Sequence, residues 1–499
     1  MSITTALAIA GTGVSTYSRM AEITANNIAN ADVEGYVRKE ADLVSLARDG
    51  EGRGVNVAGI LRHANEALAR DARREAGVSA FLGEEARALA AYAAELGQPD
   101  EGRSITDALS RLEGAFINLA ETPESPSLQR EAMEAARAVA DGLNRLSGTV
   151  RQLREDAEAR IEAEVSVVNR SLADLQRVND QIKLRSASGQ DATALEDQRD
   201  RLIDAVAERI PVRVLKRAPN DILLLTEQGV PLFDRMPAEL GFTRSTTIPA
   251  AAVHASAAAG PGYLPVLSGL TLDGRDLAPG SGDAQAITGG RIGGLFNVRD
   301  ETMVGLQKQL DQLASGLADR FQDPANDPSL APGAPGLFTA GGGAHDRSDP
   351  ADVVGMAERI SLNPAVDPAQ GGALWRMRDG VGAAIPGAAG DPAQVFRFLA
   401  AFDDGLTLPA DSGLPTSLSL RALGRELVGQ QQTARAEAED RAETQAVVAG
   451  ALRDSRANAT GVNVDSELQR MLQIEKSYAA NANVVQTAVR MLDQLLSIA

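Results

Sequence analysis

The chain has 499 residues, of which 49 are Lys or Arg and 68 are Asp or Glu, so its formal charge at pH 7 is −19. That length allows several domains, and the acidic balance argues against a general nucleic-acid binder, which needs a basic face. The absence of cysteine excludes disulfides, thiolate metal sites and a cysteine nucleophile, and an aromatic content of 3% means that Ala, Leu, Val and Ile must build most of any core.

The first segment is predicted to be a helix with the seam of a coiled coil. Apolar residues recur at alternating steps of four and three from Ile3 to Ile28, and Leu7 and Val14 lie on this seam. The segment has no basic leader before its apolar run, and no apolar stretch reaches the ~18 residues of a membrane span. We therefore expect neither ordinary Sec export nor membrane insertion.

The periodicity changes several times through the first half of the chain. Alternation over residues 33–60, around a Gly-rich turn, predicts a hairpin or extended arm. A charged helix is predicted from Asn65 to Leu96. The longest periodic segment, 127–186, predicts a helix about 90 Å long at ~1.5 Å per residue. A shorter helix follows and ends at Pro211.

The second half begins with a β-like segment. The stretches VRVLKR and DILLLTEQG, within 211–285, predict short strands bounded by Asn, Pro and Gly. Helical periodicity returns at GGRIGGLFNVRDETMVGLQKQLDQLASGLADRF. Residues 323–350 are rich in Pro, Gly and Asp and predict an exposed loop. A long polar helix is predicted from Ser417 to Asn458.

The last helix repeats the coiled-coil seam of the first. Its seam positions are Leu468, Met471, Tyr478, Ala482, Val485, Val489, Leu492 and Leu496.

This order predicts a mainly α fold with an inserted small β domain, discontinuous domains, paired terminal helices in a coiled coil and a long-helix bundle core. The predicted domains are a terminal helical assembly domain (1–35 with 456–499), a core (36–210 with 286–455) that includes the hairpin arm near 36–60, and a β-rich outer domain (211–285).

No group of residues has the pattern of an active site. His63, His254 and His345 are far apart and have no metal-ligand spacing. The charges of EDQRDRLID, residues 196–204, predict salt bridges on a solvated helix face. The sole tryptophan, Trp375, is predicted to anchor a small core. We therefore expect no enzyme, no metal and no cofactor.

The segment EITANNIANADVEGYVRKE, residues 22–40, combines amides with small residues. Asn26, Asn27 and Asn30 stand beside alanines that let helices approach closely, and their amides can bridge subunits by hydrogen bonds. Gly35 permits a turn out of the helix, and Tyr36 offers an apolar ring with a polar tip. An amphipathic helix is usually one face of its own core, but strong stripes at both ends favour a partner from another subunit.

The motif ANNIANADVEGYVRKE resembles the N-terminal signature of flagellar axial proteins, which are the rod, hook and hook-associated proteins. The tail GVNVDSELQRMLQIEKSYAANANVVQTAVRMLDQLLSIA is similar to the matching C-terminal segment of that group. Internal stretches such as ALEDQRDRLIDAV and ISLNPAVDPAQGGALWRMRDG narrow the resemblance to the hook-associated members.

The resemblance implies a secreted structural protein of the bacterial flagellum at the hook–filament junction, exported by the flagellar type III apparatus. The implied partners are itself in a ring or helical oligomer, the hook protein, the next hook-associated protein and a flagellar export chaperone, with no nucleic acid and no membrane insertion. The predicted assembly residues are Leu7, Val14, Ile28, Asn26, Asn27, Asn30, Gly35, Tyr36, Leu468, Met471, Tyr478, Asn481, Val485, Leu492 and Leu496.

Two alternatives stay open at this point. A hook or distal rod axial subunit shares the terminal motifs but is expected to have more β structure and no helix of about 60 residues. A secreted axial-type protein with an embedded hydrolase or adhesin insertion would place its activity in 211–285. In every case the terminal segments are expected to order on assembly, because ordering costs ~1–2 kcal/mol per residue of backbone entropy.

Overall fold

The computed structural model describes residues 2–48, 51–97, 104–217, 220–254 and 260–498. The helices are α1 (Ile3–Ala29), α2 (Glu66–Leu96), α3 (Ile105–Glu121), α4 (Pro126–Ala187), α5 (Thr193–Arg209), α6 (Gly290–Asn297), α7 (Met303–Gln322), α8 (Pro350–Val353), α9 (Met356–Arg359), α10 (Arg376–Asp379), α11 (Ala393–Ala400), α12 (Leu420–Thr460) and α13 (Val464–Ile498). A π-helical turn, Val298–Thr302, separates α6 from α7.

The strands are mostly short. They are β1 (Lys39–Arg48), β2 (Glu51–Arg62), β3 (Val212–Arg217), β4 (Asp221–Thr226), β5 (Pro231–Asp234), β6 (Met236–Pro237), β7 (Leu240–Gly241), β8 (Ala252–Val253), β9 (Leu264–Pro265), β10 (Thr271–Leu272), β11 (Arg275–Asp276), β12 (Phe338–Ala340), β13 (Ile360–Leu362), β14 (Gly405–Thr407) and β15 (Ser417–Ser419).

The chain divides into two compact units. The first contains Met1–Gly77, Val167–Glu239 and Ala446–Ala499, and the second contains Val78–Ser166 and Leu240–Gln445. This division does not test the three predicted domains, which stay a prediction.

In the first unit, α1 packs along α13, and the antiparallel hairpin β1–β2 packs against α1. Ser2 caps the N-terminus of α1, because its Oγ accepts a hydrogen bond from the Thr5 N–H at 3.2 Å and so satisfies one free helix-end donor. After α1 the chain turns at Gly35, whose φ of +77° lies in the left-handed region that favours glycine. Strands β3, β4, β5 and β6 form an antiparallel sheet in that order.

The core of the second unit contains a cluster of aromatic rings. Neighbouring centroids in the cluster lie 5.4 to 6.4 Å apart, a range typical of stabilising aromatic pairs. Its members are Phe116, Phe321, Phe338, Phe398 and Phe402. Small sheets surround the helices of this unit: β11–β10–β7, the parallel pair β8–β9, and the hairpins β12–β13 and β14–β15.

The predicted fold class is confirmed, since the chain is mainly helical, its terminal helices pack together and its β insertion is small. The long predicted helix is α4, which passes through Gly142 and Gly148 without a break. The predicted strands in 211–226 are β3 and β4. No helix in the described ranges is long and apolar enough to cross a membrane.

Two predictions about the second unit are wrong. Residues 323–350 are not all an exposed loop, because Leu337 and Phe338 are fully buried and β12 pairs with β13. Trp375 is only half-buried, with the Arg376 guanidinium 5.5 Å from its ring centroid. The phenylalanine cluster fills the core that the tryptophan was expected to anchor.

Candidate assembly surface

Small side chains let the terminal helices approach closely. Ala10 and Gly13 of α1 are buried in the first unit. A side chain in place of Gly13 would collide with the amide of Asn481 on α13. A larger residue at position 13 would therefore force the Asn481 side chain to move.

Asn27 joins α1, the start of the hairpin arm and α13. It is 1% exposed, and its Nδ2 donates to the Lys39 carbonyl at 2.8 Å and to Glu467 Oε2 at 3.1 Å. Its Oδ1 accepts from the Tyr36 hydroxyl at 3.0 Å and from the Lys39 N–H at 3.1 Å. A buried amide with all its hydrogen-bonding positions in use stabilises one arrangement of its partners.

An ionic cluster lies around Asn27. Glu467 is 1% exposed, and its Oε1 accepts from Arg38 Nε at 2.7 Å. Arg38 also pairs with Glu40 at 3.1 Å, and Arg470 pairs with Glu40 as well. The hydrogen bond from Arg470 holds the pKa of Glu40 at about 2, whereas burial raises the pKa of Tyr36 to about 12. Near pH 7, Tyr36 is therefore a neutral hydrogen-bond donor and Glu40 is an ionised carboxylate.

The charged stretch of α5 also faces this cluster. Asp197 accepts from Arg62 Nε at 2.9 Å and pairs with Lys39 Nζ at 3.1 Å, and Arg62 bridges to Asp200 at 2.8 Å. The predicted salt bridges are confirmed. The predicted solvated face is wrong for Asp197, which is buried because these two arm cations lie across it. Burial raises the pKa of Asp197 despite its cationic neighbours.

The face of α1 that is buried in the first unit coincides only partly with the predicted seam, with which it shares Ala10 and Thr24. Its buried residues are Ala10, Gly13, Thr16, Ile23, Thr24 and Asn27. Thr16 belongs to this face because its hydroxyl donates to the Val55 carbonyl of β2 at 3.0 Å. The hairpin thus shares α1 with α13, which leaves Leu7, Val14 and Ile28 half-buried.

The predicted assembly residues fall into two groups. Those buried or half-buried are Leu7, Val14, Asn27, Ile28, Asn30, Gly35, Tyr36, Met471, Asn481, Val485 and Leu492. Those exposed are Asn26, Leu468, Tyr478 and Leu496.

Helix α13 has more apolar surface than α1 covers. Its buried residues Glu467, Ile474 and Ala488 form a line along the helix. Exposed apolar side chains stand on both sides of that line, in groups that lie roughly 120° apart at ~3.6 residues per turn. We name them the Val484 flank (Val484, Met491 and Leu495) and the Tyr478 flank (Tyr478, Val489 and Leu496).

A shallow groove extends the Val484 flank onto α1. It has a volume of about 260 Å³, and Ile3 and Ala6 of α1 line it together with Val484, Ala488 and Met491 of α13. The exposed fractions of Leu495 and Leu496, 55% and 74%, show how much apolar surface remains in water at this end of the helix pair. Exposed apolar patches of this kind mark interaction surfaces.

Sequence reasoning missed Gly13, Arg38 and Glu467. Gly13 could have been found, because Gly-Thr-Gly inside a helical stripe signals a close packing contact. Arg38 and Glu467 are 429 positions apart, and no local pattern connects them.

The second unit contains a serine, a histidine and an aspartate in a row. Ser315 Oγ lies 2.7 Å from His345 Nε2, and His345 Nδ1 lies 3.0 Å from Asp352 Oδ2. Ser315 is fully buried on α7, and its Oγ accepts a hydrogen bond from Arg347 at 3.1 Å. A nucleophile must reach its substrate, so this row fastens the 345–352 loop to α7. Within the described ranges, no three His, Asp or Glu side chains form a group that could hold a metal ion.

Three family models match the chain. Residues 96–327 match the flagellar hook-associated protein FlgK helical domain. Residues 454–498 match the C-terminal model of the flagellar basal body rod FlgEFG proteins, and residues 7–36 match the flagella basal body rod protein model. The two terminal matches fall on α13 and α1, the helices that pack together.

Two individual proteins are similar to parts of the chain. The chain is 24% identical over 233 residues to flagellar hook-associated protein 1 of Bacillus subtilis (strain 168), a match that covers 44% of this chain and 46% of the relative. The chain thus spans about half the length of the curated relative it matches. The solved structure of the flagellar hook junction protein FlgK from Burkholderia pseudomallei is similar at 21% identity with a TM-score of 0.44, covering 55% of this chain and 47% of that one.

The family models identify hook-associated features in the middle of the chain and axial features at both ends. Together with the curated relative, they support a FlgK-type flagellar hook-associated protein.

Proposed function

We propose that this chain is a structural, non-enzymatic subunit of the bacterial flagellum that forms the hook–filament junction on which the filament assembles. Its partners are sister copies of itself, the hook protein on one side and the next hook-associated protein on the other. A flagellar export chaperone escorts it before assembly, and the working location is extracellular. The names of the relatives, a hook-associated protein and a hook junction protein, support this proposal.

The observation that carries the proposal is the exposed apolar surface on both sides of α13. A helix that only served its own unit would have one buried stripe and a polar remainder. Here the Val484 flank and the Tyr478 flank stay in water on either side of the buried line. Two flanks fit two neighbours, one on each side of every helix pair.

Two different flanks also fit the symmetry that a junction requires. If the Val484 flank of one copy meets the Tyr478 flank of the next, the contact is heterologous and repeats around a ring or along a helix. Each such contact removes apolar surface from water, which stabilises the assembly by ~25 cal/mol per Å².

The predicted domains and assembly residues take defined roles in this proposal. Residues 1–35 with 456–499 form the assembly domain, 36–210 with 286–455 the core, and 211–285 the outer β-rich insertion. Asn27, Tyr36 and Gly35 hold the helix pair to the hairpin arm, whereas Tyr478 and Leu496 face the neighbouring copy.

Deleting the gene tests the function directly. Complete hooks without filaments, together with flagellin lost to the culture medium, are the expected phenotype. The wild-type gene on a plasmid should restore filaments. Normal filaments in the deletion strain, or loss of the hooks themselves, would contradict a role at the junction.

A further inference from the structure

Charged side chains are few on the part of α13 that carries the two flanks. From Met471 to the end of the helix they are Glu475, Lys476, Arg490 and Asp493. All four are exposed. None of them forms an ion pair with another side chain in the described ranges. These charges are therefore available to a neighbour.

The two carboxylates border the Tyr478 flank. Residues three or four positions apart are neighbours on a helix surface. Glu475 lies three positions before Tyr478. Asp493 lies four positions after Val489 and three before Leu496. At ~3.6 residues per turn, both carboxylates stand on the side of the flank away from the buried line, and we name them the acidic edge.

The two cations lie on the other side, next to the Val484 flank. Lys476 precedes Val484 by two steps of four residues, which is one row of the helix surface. Arg490 follows Thr487 by three positions, and Thr487 lines the groove of this flank. The long stems of lysine and arginine carry their charges away from the backbone. We name this pair of cations the basic edge.

We infer that the acidic edge of α13 in one copy pairs with the basic edge of α13 in the next copy, with the two helices parallel and nearly level. This inference rests on the proposed function, which places a sister copy at each flank. The side of α13 away from α1 changes from acidic beside the Tyr478 flank to basic beside the Val484 flank. A contact between unlike flanks therefore brings opposite charges together.

The same charges disfavour a closed dimer. A two-fold contact brings identical surfaces together. Two Tyr478 flanks would place acidic edge against acidic edge, and two Val484 flanks would place basic edge against basic edge. Like charges brought together at an interface reject the wrong partner. The edges thus select the contact that repeats from copy to copy.

Positions along the helix axis fit neighbours at almost the same height. At ~1.5 Å per residue, Lys476 is about 1.5 Å beyond Glu475, and Arg490 is about 4.5 Å before Asp493. Flexible lysine and arginine side chains can span both offsets. A stagger of more than about one turn, ~5.4 Å, would separate at least one pair. The two pairs together therefore fix the relative height of the copies.

Reversing the charges should have a larger effect than removing them. An exposed ion pair stabilises an assembly only weakly, so the apolar flanks supply most of the attraction. Like charges held together where the flanks exclude water are costly. The edges accordingly specify the neighbour, and their neutral variants, Glu475→Gln with Asp493→Asn, should still assemble.

Charge reversal tests the contact in isolated flagella. Glu475→Lys with Asp493→Arg makes both edges basic, and Lys476→Glu with Arg490→Asp makes both acidic. Each double variant should lower the amount of chain retained in flagella, measured by immunoblot, by about ten-fold or more. The quadruple variant exchanges the two edges and should restore retention to within about two-fold of wild type.

The quadruple variant is the control for folding and export, because it contains every substitution of the two doubles. Doubles that are retained like wild type, or a quadruple variant that is lost as completely as the doubles, overturn the contact and leave the junction role intact. If immunolabelling does not find the wild-type chain at hook–filament junctions, the proposed function fails, and this contact with it.

A second measurement uses the wild-type chain. Lys476 is the single lysine of α13, and α1 has none. A carbodiimide condenses a carboxylate with an amine in contact with it, forming an amide and taking up the water that leaves. Treated flagella should yield covalent oligomers of this chain and a peptide that joins Glu475 of one copy to Lys476 of the next.

Lys476→Arg is the matched control for the cross-link. It keeps the positive charge but removes the amine, so it should assemble like wild type and lose the cross-linked peptide. The oligomers are separated by denaturing electrophoresis, and the peptide is identified by mass spectrometry. Wild-type chain that is present in the flagella and yields no such peptide overturns the inference.

Discussion

The terminal helix pair and the phenylalanine core of the second unit are stabilised by different interactions. At the pair, glycine and alanine bring helices together, and Asn27, Arg38 and Glu467 supply hydrogen bonds and charge. In the core, five aromatic rings pack together in the interior. The core depends on apolar burial inside one subunit, whereas the pair leaves apolar side chains exposed. In the proposed assembly, a neighbouring copy covers them.

The largest expected effect concerns the exposed apolar flanks of α13. Replacing Leu495 and Leu496 together by Asp should abolish incorporation into flagella, because both flanks would then place a charge where a neighbour removes water. The unfolding free energy of the isolated subunit should change by less than ~0.5 kcal/mol, since both residues are exposed. Motility, electron microscopy of hooks and chemical denaturation measure these outcomes.

The matched control for this variant is Gln486→Asp, an exposed position of the same helix outside both flanks. It should assemble normally. Leu492 is less informative than Leu495, because it is half-buried in the first unit and its loss would also disturb the pair itself. Normal filaments on hooks with the double variant would show that the flanks are not the assembly surface.

The next largest effect belongs to the aromatic core. Phe321→Ala should lower the unfolding free energy by ~3–5 kcal/mol, because it removes a fully buried ring in contact with four others. Urea denaturation followed by circular dichroism measures the change. Phe396→Ala is the matched control: this ring is 57% exposed, and its loss should cost much less. Similar losses for the two variants would contradict the assignment of the core.

A smaller effect is expected at the polar joint, the point where Asn27 connects α1, the hairpin arm and α13. Asn27→Ala removes four hydrogen bonds and leaves Glu467 short of a donor, which should cost ~1–3 kcal/mol locally. Amide hydrogen exchange should become faster in α1 and near residue 467, with the second unit unchanged. Asn26→Ala, at the exposed neighbouring position, should have little effect on exchange. If both variants exchange alike, Asn27 does not hold the joint.

The smallest effect is a pH dependence at the same joint. The pKa of Glu40 is lowered to about 2 by Arg470, so its ionised form stabilises the folded state above its unfolded pKa of 4.5. That contribution is lost as the pH falls from 4.5 towards 2, and solvent screening of this partly exposed pair keeps it near ~1 kcal/mol or less. The free energy of unfolding measured against pH should therefore fall less steeply in Glu40→Gln than in the wild type. Parallel curves would exclude this pair as a source of acid sensitivity.

Periodic features were predictable from the sequence. The helix over 127–186, the hairpin arm and the paired termini follow from the spacing of apolar residues, and Gly35 follows from the need for a turn after α1. The spacing of apolar residues did not predict which face of α1 is buried. The seam pattern predicts Leu7 and Val14 as contact positions. In the structure Thr16 bonds to β2 of the hairpin, so the buried face of α1 coincides only partly with the seam.

Long-range polar partners and the choice of core aromatic were not predictable either. A single carboxylate such as Glu467 looks like any surface residue until the fold places Arg38 beside it. The scarcity of aromatic residues predicts Trp375 as a core anchor, yet scarcity does not decide which aromatic side chain is buried. Five phenylalanines spread over 116–402 meet only after the helices and strands have packed.

The hydrogen bond between Asn27 and Glu467 joins positions 440 residues apart. During synthesis, the Asn27 amide therefore cannot bond to the Glu467 carboxylate until nearly the whole polypeptide has been made. Closing a loop of this length is also slow. A prematurely terminated chain lacks that carboxylate and presents an α1 that cannot be locked in place.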